Sequence, residues 1–339
     1  MNTMDHGVGA STMIVPMNVG RMRSRSGLTN PVEGTVVWAP VKSCWITFHV
    51  VIAALFAIPF YSPGAVASTL LLTVVTICCG HSVGLHRMLI HRSFVAPKAV
   101  RMLFVHLGTA VGMGGPLDMI YLHDIRDWAQ RHARCHAFFI HQSSLLRDWW
   151  WQLHCTILLA HPPQMVVESE VVNSAGVRWM QRTWMLQQLP WAVLFWTMGG
   201  WGWVVWGISV RIVVSLTGHW LIGYLAHNGG VRDWHLHGHA VQGYNIPHLA
   251  LISMGEAWHN NHHAFPGSAR LGIARGQWDP GWWFILALQW LGLAWAIKTP
   301  ESQDTRPELE ALNRGGVVAS VKPEVRRKRR LSLWFDVSE

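Results

Sequence analysis

AVASTLLLTVVTICCGHSVGLHRMLIH (65–91) begins as an apolar run and ends in histidines. Residues 65–84 carry no charged side chain, and about 20 such residues cross a bilayer as a helix. The stretch CWITFHVVIAALFAIPFY (44–61) precedes it across a short Ser-Pro-Gly turn. So short a turn holds no domain, so the two runs form a helical hairpin. A second hairpin follows, from LPWAVLFWTMGGWGWVVWG (189–207) into ISVRIVVSLTGHWLIGYLA (208–226). The spans read as 44–61, 65–84, 189–206 and 208–226. Two further apolar stretches, 100–115 and 282–297, are short and read as interfacial or packed on the core.

Composition agrees with a membrane protein. Half of the 339 residues are hydrophobic and 13% are charged, against about 25% charged in soluble domains. The 22 tryptophans suit the headgroup level. The net charge of +9 gathers near the ends, at Arg21, Arg23 and Arg25 and in VRRKRR (325–330). Basic residues flanking apolar spans indicate a cytoplasmic membrane face rather than nucleic acid. The turns at 62–64 and 199–202 hold no Lys or Arg, so both termini and the segments 86–188 and 227–339 are expected in the cytoplasm. Five cysteines without framework spacing argue against disulfides. Residues 1–35 read as a disordered leader without signal-peptide character, 36–300 as the folded domain and 301–339 as a mobile basic tail.

The 21 histidines occur in groups at the cytoplasmic ends of the spans. In HNNHH (259–263), His259, His262 and His263 share one helical face. A helical five-residue step sets His86 and His91 about 140° apart, better suited to two neighbouring ions than to one. His219 lies inside a span, where an ionisable residue is functional by default. In WAQRHARCH (128–136), His132 and His136 stand four apart. Any one group has a bland reading as a polar stripe. Together they predict a site for more than one metal, capping a four-helix transmembrane core. Imidazole suits Fe, Zn, Cu and Ni alike. His235, His237 and His239 read as a loop.

GHSVGLHRMLIHRSF (80–94), SLTGHWLIG (215–223) and GEAWHNNHHAFPGSARLG (255–272) resemble histidine motifs of the membrane-bound fatty acid desaturases, acyl-CoA Δ9 type and bacterial relatives. The resemblance covers about residues 36–300. It implies an all-α integral membrane fold: four transmembrane helices in two hairpins under a cytoplasmic helical cap that holds a di-iron site. It implies His86, His91, His219, His259, His262 and His263 as iron ligands. The family's middle motif runs Trp, two residues, Asp, then HxxHH. Aligning its Trp with Trp128 makes His132 and His136 ligands, with Cys135 in place of the middle histidine and Arg131 in place of the Asp. Aligning RDW (126–128) with Arg-Asp-His is the rival register. Ser215 stands where the family has an Asn near iron. His123, His141, Cys135, Asp127 and Glu256 are further candidates, as ligands or as partners behind them. Cys135 is expected not to bind iron, the site either running with fewer histidines or recruiting His123 or His141.

The implied reaction is O2-dependent formation of a cis double bond, at Δ9, in a saturated acyl chain, using two Fe ions. The implied partners are the bilayer, an acyl-CoA or acyl-lipid substrate, and an external ferredoxin, rubredoxin or cytochrome b5-like donor; no HPGG, CxxC or GxGxxG sequence supplies one internally. The implied location is a bacterial inner membrane. A di-iron hydroxylase on the same scaffold, or a non-catalytic membrane protein binding metal or lipid, are the alternatives.

Overall fold

A computed structural model describes residues 19–25, 27–304 and 306–312. The chain is mostly helical. Helix α1 (Pro40–Phe56) opens on a proline, whose fixed φ suits the first helical turn. Helix α2 (Pro63–Val75) is capped by Ser62, which accepts from Ala65 N at 3.2 Å. It continues unbroken as a π-helix over Thr76–Ile90. Together they form one apolar 28-residue helix, well past the length needed to cross a bilayer.

Three helices lie beyond that rod: α3 (Lys98–Ala110), α4 (Pro116–Gln130) and α5 (Leu145–His154). Two short helices follow, α6 (Ser169–Val172) and α7 (Ala175–Arg182). Helix α8 (Leu189–Val204) leads through a π-helical turn, Val205–Val210, into α9 (Arg211–Asn228). The apolar run is not one rod. It bends at Gly199–Gly200, where Gly200 takes φ 67° and ψ −157°, a region that glycine alone enters freely. The limbs fold back on each other: a Cβ on Gly207 would stand 2.3 Å from the Phe195 ring. The expected second hairpin is therefore present as a bend within a continuous helical segment.

The two hairpins share a core. Ile46 of α1, Leu72 of α2, Phe195 of α8, and Ile212, Leu216 and Trp220 of α9 pack together with Leu153 of α5. Their outer faces are apolar and uncovered: Phe48, Leu55, Leu70, Leu71, Val193, Trp196 and Trp201 are all exposed, as is Ile58 just past α1, at 86%. A belt of that kind fits a lipid-facing surface.

A second core lies where α3 crosses the π-helix. Val83, Leu85 and Leu89 meet Phe104, Val105 and Leu107, with Ile120 of α4. The crossing is close because Gly80 has no side chain: a Cβ there would lie 2.4 Å from the Leu107 carbonyl carbon and the Gly108 nitrogen. Residues 100–115 are thus more deeply packed than their glycine content suggests. Helix α11 (Pro280–Trp290) adds Ile285 and Leu288 to this core and leaves Trp283, Leu286 and Trp290 exposed.

Short antiparallel ribbons tie down the outer parts of the described residues. β1 (Met22–Arg23) pairs β4 (Gln164–Met165), and β2 (Asn30–Trp38) pairs β3 (Cys155–His161). β5 (Trp234–Leu236) pairs β6 (Leu309–Ala311). The folded region is therefore longer than 36–300. Met22 is fully buried. The Arg21 guanidinium, also buried, reaches Asp124 Oδ2 at 3.2 Å, Glu168 Oε2 at 2.7 Å and the carbonyls of Leu89 and Ile90. Those carbonyls end the π-helix, where helical acceptors lack partners. Arg21 is thus a structural cation rather than a juxtamembrane one. Residues 1–18 and the run 325–330 lie outside the described residues. All five cysteines are free.

Candidate metal centre

The π-helix decides the first part of the site. Its hydrogen bonds run i to i+5, and the last links His91 N to His86 O at 3.0 Å. Five residues then make about one turn, so His86 and His91 return to one face. Their ring centres are 4.8 Å apart. The 140° separation expected for an α-helix does not occur.

Helix α4 brings His123 against the same pair. His123 Nε2 is 3.1 Å from His91 Nε2. Helix α10 (His259–Ala264) completes the group with His262, whose ring lies 4.7 Å from both His86 and His91. Six residues cannot hold a helix by themselves, and the asparagines of HNNHH do the anchoring. Asn260 Oδ1 accepts from Asp233 N and Trp234 N, and Asn261 Nδ2 donates to Leu271 O. A buried salt bridge, Arg87 to Asp279 at 2.8 Å, locks the segment after α10 to the π-helix.

The other two histidines of α10 face a second group. His259 Nε2 is 3.0 Å from His263 Nε2 and 3.4 Å from His227 Nε2. His227, at the end of α9, directs Nδ1 to Gly223 O at 2.7 Å. That bond takes the Nδ1 proton and leaves the Nε2 lone pair pointing into the group. The chain thus assembles His86, His91, His123 and His262 in one group and His227, His259 and His263 in another, each with ligand atoms within 4.8 Å.

These distances suit metal ions. Two imidazoles bound about 2.1 Å from one ion, at angles of about 90–110°, stand about 3.0–3.4 Å apart. A single N–H can bridge one pair of ring nitrogens but not a converging set of three or four. Buried beside one another, such lone pairs call for a cation, and both groups fit one.

Carboxylates support the first group. Glu256 Oε2 is 2.6 Å from His86 Nδ1, and Oε1 accepts from Ser82 at 2.5 Å. Burial opposes the Glu256 charge, but the His86 ring and the Arg87 guanidinium outweigh it and hold the carboxyl well below its usual range. His123 Nδ1 donates to Asp124 Oδ1, 3.3 Å away. Burial lowers its basicity, yet Asp127 and Asp124 overcome this and raise it. Burial and neighbouring histidines push His259 down to about 3 and His262 and His263 well below the ordinary value. These rings are neutral at pH 7, the state that ligates.

Several sequence candidates lie elsewhere. His132 packs on Trp128 and places Nδ1 2.7 Å from Trp128 O. His136 lies by Trp151. Neither joins a histidine group, because α4 ends at Gln130 and the chain turns away before them. Both registers for the middle motif therefore fail to reach the histidine that arrives. With the first position of HxxHH at His123, Arg126 and Asp127 stand at the other two. Asp127 lies 3.9 Å from Arg131.

Cys135 is outside both groups, and burial pushes its thiol up to about 12 despite Arg126. His141 has its Nδ1 on Asp148 and its Nε2 on Arg126. His219 stands two turns of α9 before His227, about 12 Å along the axis. It faces His81 at 4.7 Å rather than either group. Ser215, four residues before His219, is buried without a hydrogen-bond partner. His235, His237 and His239 lie on β5 and its turn, where His237 meets Glu310.

His227 is the residue that sequence reading missed. The available signal was position: it ends the fourth apolar run at the level of His86 and His91, whereas His219 sits inside it.

No family model matches the chain. Individual proteins do. The sn-1 stearoyl-lipid 9-desaturase of Anabaena variabilis is 33% identical over 258 residues, covering 74% of this chain and 91% of the relative. The corresponding enzyme of a Synechocystis strain is 31% identical over 75% of this chain and 78% of its own length. An acyl-CoA 5-desaturase of Anemone leveillei is 28% identical over 80% of this chain and 85% of its own. A helical fold with paired histidine groups and relatives of this kind define an oxidoreductase of lipid metabolism. The chain belongs to the fatty acid desaturase family.

Proposed function

We propose that this protein is a membrane desaturase that places a cis double bond, at Δ9, in a saturated fatty acyl chain at a two-iron centre. The observation that carries the reading is the meeting of seven imidazoles in two adjoining groups in a chain of this family. His86, His91, His123 and His262 would hold one iron, and His227, His259 and His263 the other. Iron there supplies, with O2, two electrons and two protons, the power to remove two hydrogens from adjacent carbons as water leaves.

The protein's own part is positioning. Glu256 orients His86 and offsets metal charge, Gly223 O fixes the His227 tautomer, and burial keeps the His259, His262 and His263 rings unprotonated. The Δ9 position follows the two cyanobacterial relatives, both named 9-desaturases. The relatives named for acyl-CoA and for acyl-lipid leave either carrier chemically open, and an acyl substrate is common to both. The apolar belt supports four membrane crossings, by α1, α2, α8 and α9. The basic loops support cytoplasmic termini and a cytoplasmic metal centre in a bacterial inner membrane. An external ferredoxin, rubredoxin or cytochrome b5-like protein would deliver the electrons.

The test is the acyl profile of a host lacking Δ9 desaturation, expressing this chain and fed deuterated stearate. A product lighter by two deuterium atoms, unsaturated between carbons 9 and 10, is expected. A product carrying an added oxygen would make it a hydroxylase, and no product would remove the enzymatic reading.

A further inference from the structure

The two histidine groups are built differently, and the difference lies on α4. In His259, His262 and His263 the positions at i, i+3 and i+4 are all imidazole. On α4 the same spacing from His123 gives Arg126 and Asp127, and neither joins a group. Arg126 is turned to the three-histidine side. Its Nη1 is 2.7 Å from His141 Nε2 and 3.1 Å from Phe139 O, and its Nη2 is 2.8 Å from Gln152 Oε1. The His141 ring lies 4.9 Å from that of His227, yet both its nitrogens are engaged. It is no spare ligand. Gly223, one turn before His227, offers no side chain, and a Cβ there would be 3.5 Å from His141 Nε2.

The group that α4 presents to His227 is Gln130, two turns past His123 and 2% exposed. Gln130 Nε2 lies 3.0 Å from His227 Nε2 and 2.6 Å from Phe139 O. The carbonyl sets the amide's orientation, since the flipped form would bring two oxygens to 2.6 Å. The face shown to His227 is therefore NH2, which donates and has no lone pair for a metal.

The surrounding charge has the same bias. The four-histidine group has Glu256 and Asp124 against its rings. Among the described residues no carboxylate contacts His227, His259 or His263, and beyond His141 the Arg126 guanidinium and the Asp148 carboxylate offset each other. A carboxylate against the rings favours a bound cation.

We propose that the two metal positions are unequal. The four-histidine position retains its ion, and the three-histidine position holds a divalent transition ion loosely and exchanges it, because α4 offers it Arg126 and the Gln130 amide instead of a ligand. This rests on the two-metal reading above.

The test is iron release from the full chain in detergent, loaded anaerobically with Fe(II) and challenged with ferrozine, with total metal per chain measured alongside. Two phases are expected, the faster by about ten-fold or more, the scale on which losing support around a metal changes affinity. His227→Ala should remove the fast phase and leave the slow one. His123→Ala should remove the slow phase. Gln130→His, which adds an imidazole facing His227, should slow the fast phase, a gain that misfolding does not produce. Release of both ions in one phase, a fast phase surviving His227→Ala, or no effect of Gln130→His would overturn the proposal. Uptake of a single ion, lost in His123→Ala but kept in His227→Ala, would support the inequality while sinking the two-metal reading. No uptake at all would sink both.

Discussion

Glu256 shows how much a single carboxylate does at this centre. It touches His86, Ser82 and Arg87 at once, so Glu256→Gln should keep the fold's size and lose the charge. About 10–100-fold weaker iron retention is expected, as for other partners behind metal ligands, read by the chelator concentration that strips half the metal. Cys135 stands at the other extreme. Cys135→Ser should leave iron content and desaturation unchanged, because the thiol lies outside both groups and is protonated at neutral pH. Loss of iron in that variant would return Cys135 to the centre. At this scale the sequence was informative where residues repeat a face. His259, His262 and His263 announce themselves by spacing. His123 is alone on α4 and His227 stands eight residues from His219 on α9, and only tertiary packing gives either of them the company of a histidine group.

The elements that position these residues are bent or compressed where an ordinary helix would fail. The π-helix turns a five-residue step into a shared face for His86 and His91. Helical wheel reasoning at 100° per residue cannot anticipate it, since that angle assumes i to i+4 bonding, whereas here an i to i+5 helix packs closely against α3. Gly80 lets that packing happen. Gly80→Val would drive a branched side chain into the Leu107–Gly108 backbone, and a loss of about 1–3 kcal/mol or more is expected, read as a lower unfolding midpoint in detergent. An unchanged midpoint would mean that α3 is not held there. The hairpins themselves were legible, because an apolar run of span length has few other uses. The Gly199–Gly200 bend was legible too, from the glycines alone. Helix ends were not: the second run reads as ending at 84, while the helix continues to Ile90.

Across the whole molecule, buried ion pairs join segments far apart in sequence. Arg21 binds the start of the described chain to α4, to Glu168 and to the end of the π-helix. Arg21→Met would strand the buried Asp124 carboxylate, at a cost of about 3–5 kcal/mol, seen as a matching fall in unfolding free energy. An extent of 36–300 misses this because one arginine in a polar leader carries no mark of burial. The histidine groups make stability depend on pH. His259, His262 and His263 have folded pKa values depressed below the ordinary 6.5, so the unfolded chain binds more protons below that value. Stability is therefore full above about pH 6.5 and declines as pH falls further. The metal-free protein should melt progressively lower between pH 7 and pH 5; a flat profile would mean that these rings are not buried neutral.

On the proposed function, the histidines brought together by the fold, rather than those grouped in WAQRHARCH, form the working centre. One comparison reaches it directly: the unsaturated fraction of membrane acyl chains in a host expressing His123→Ala, beside one expressing His132→Ala at equal protein level. His123→Ala should fall to the background of the empty host, while His132→Ala should keep most of the wild-type fraction. Retention in the first and loss in the second would contradict the account.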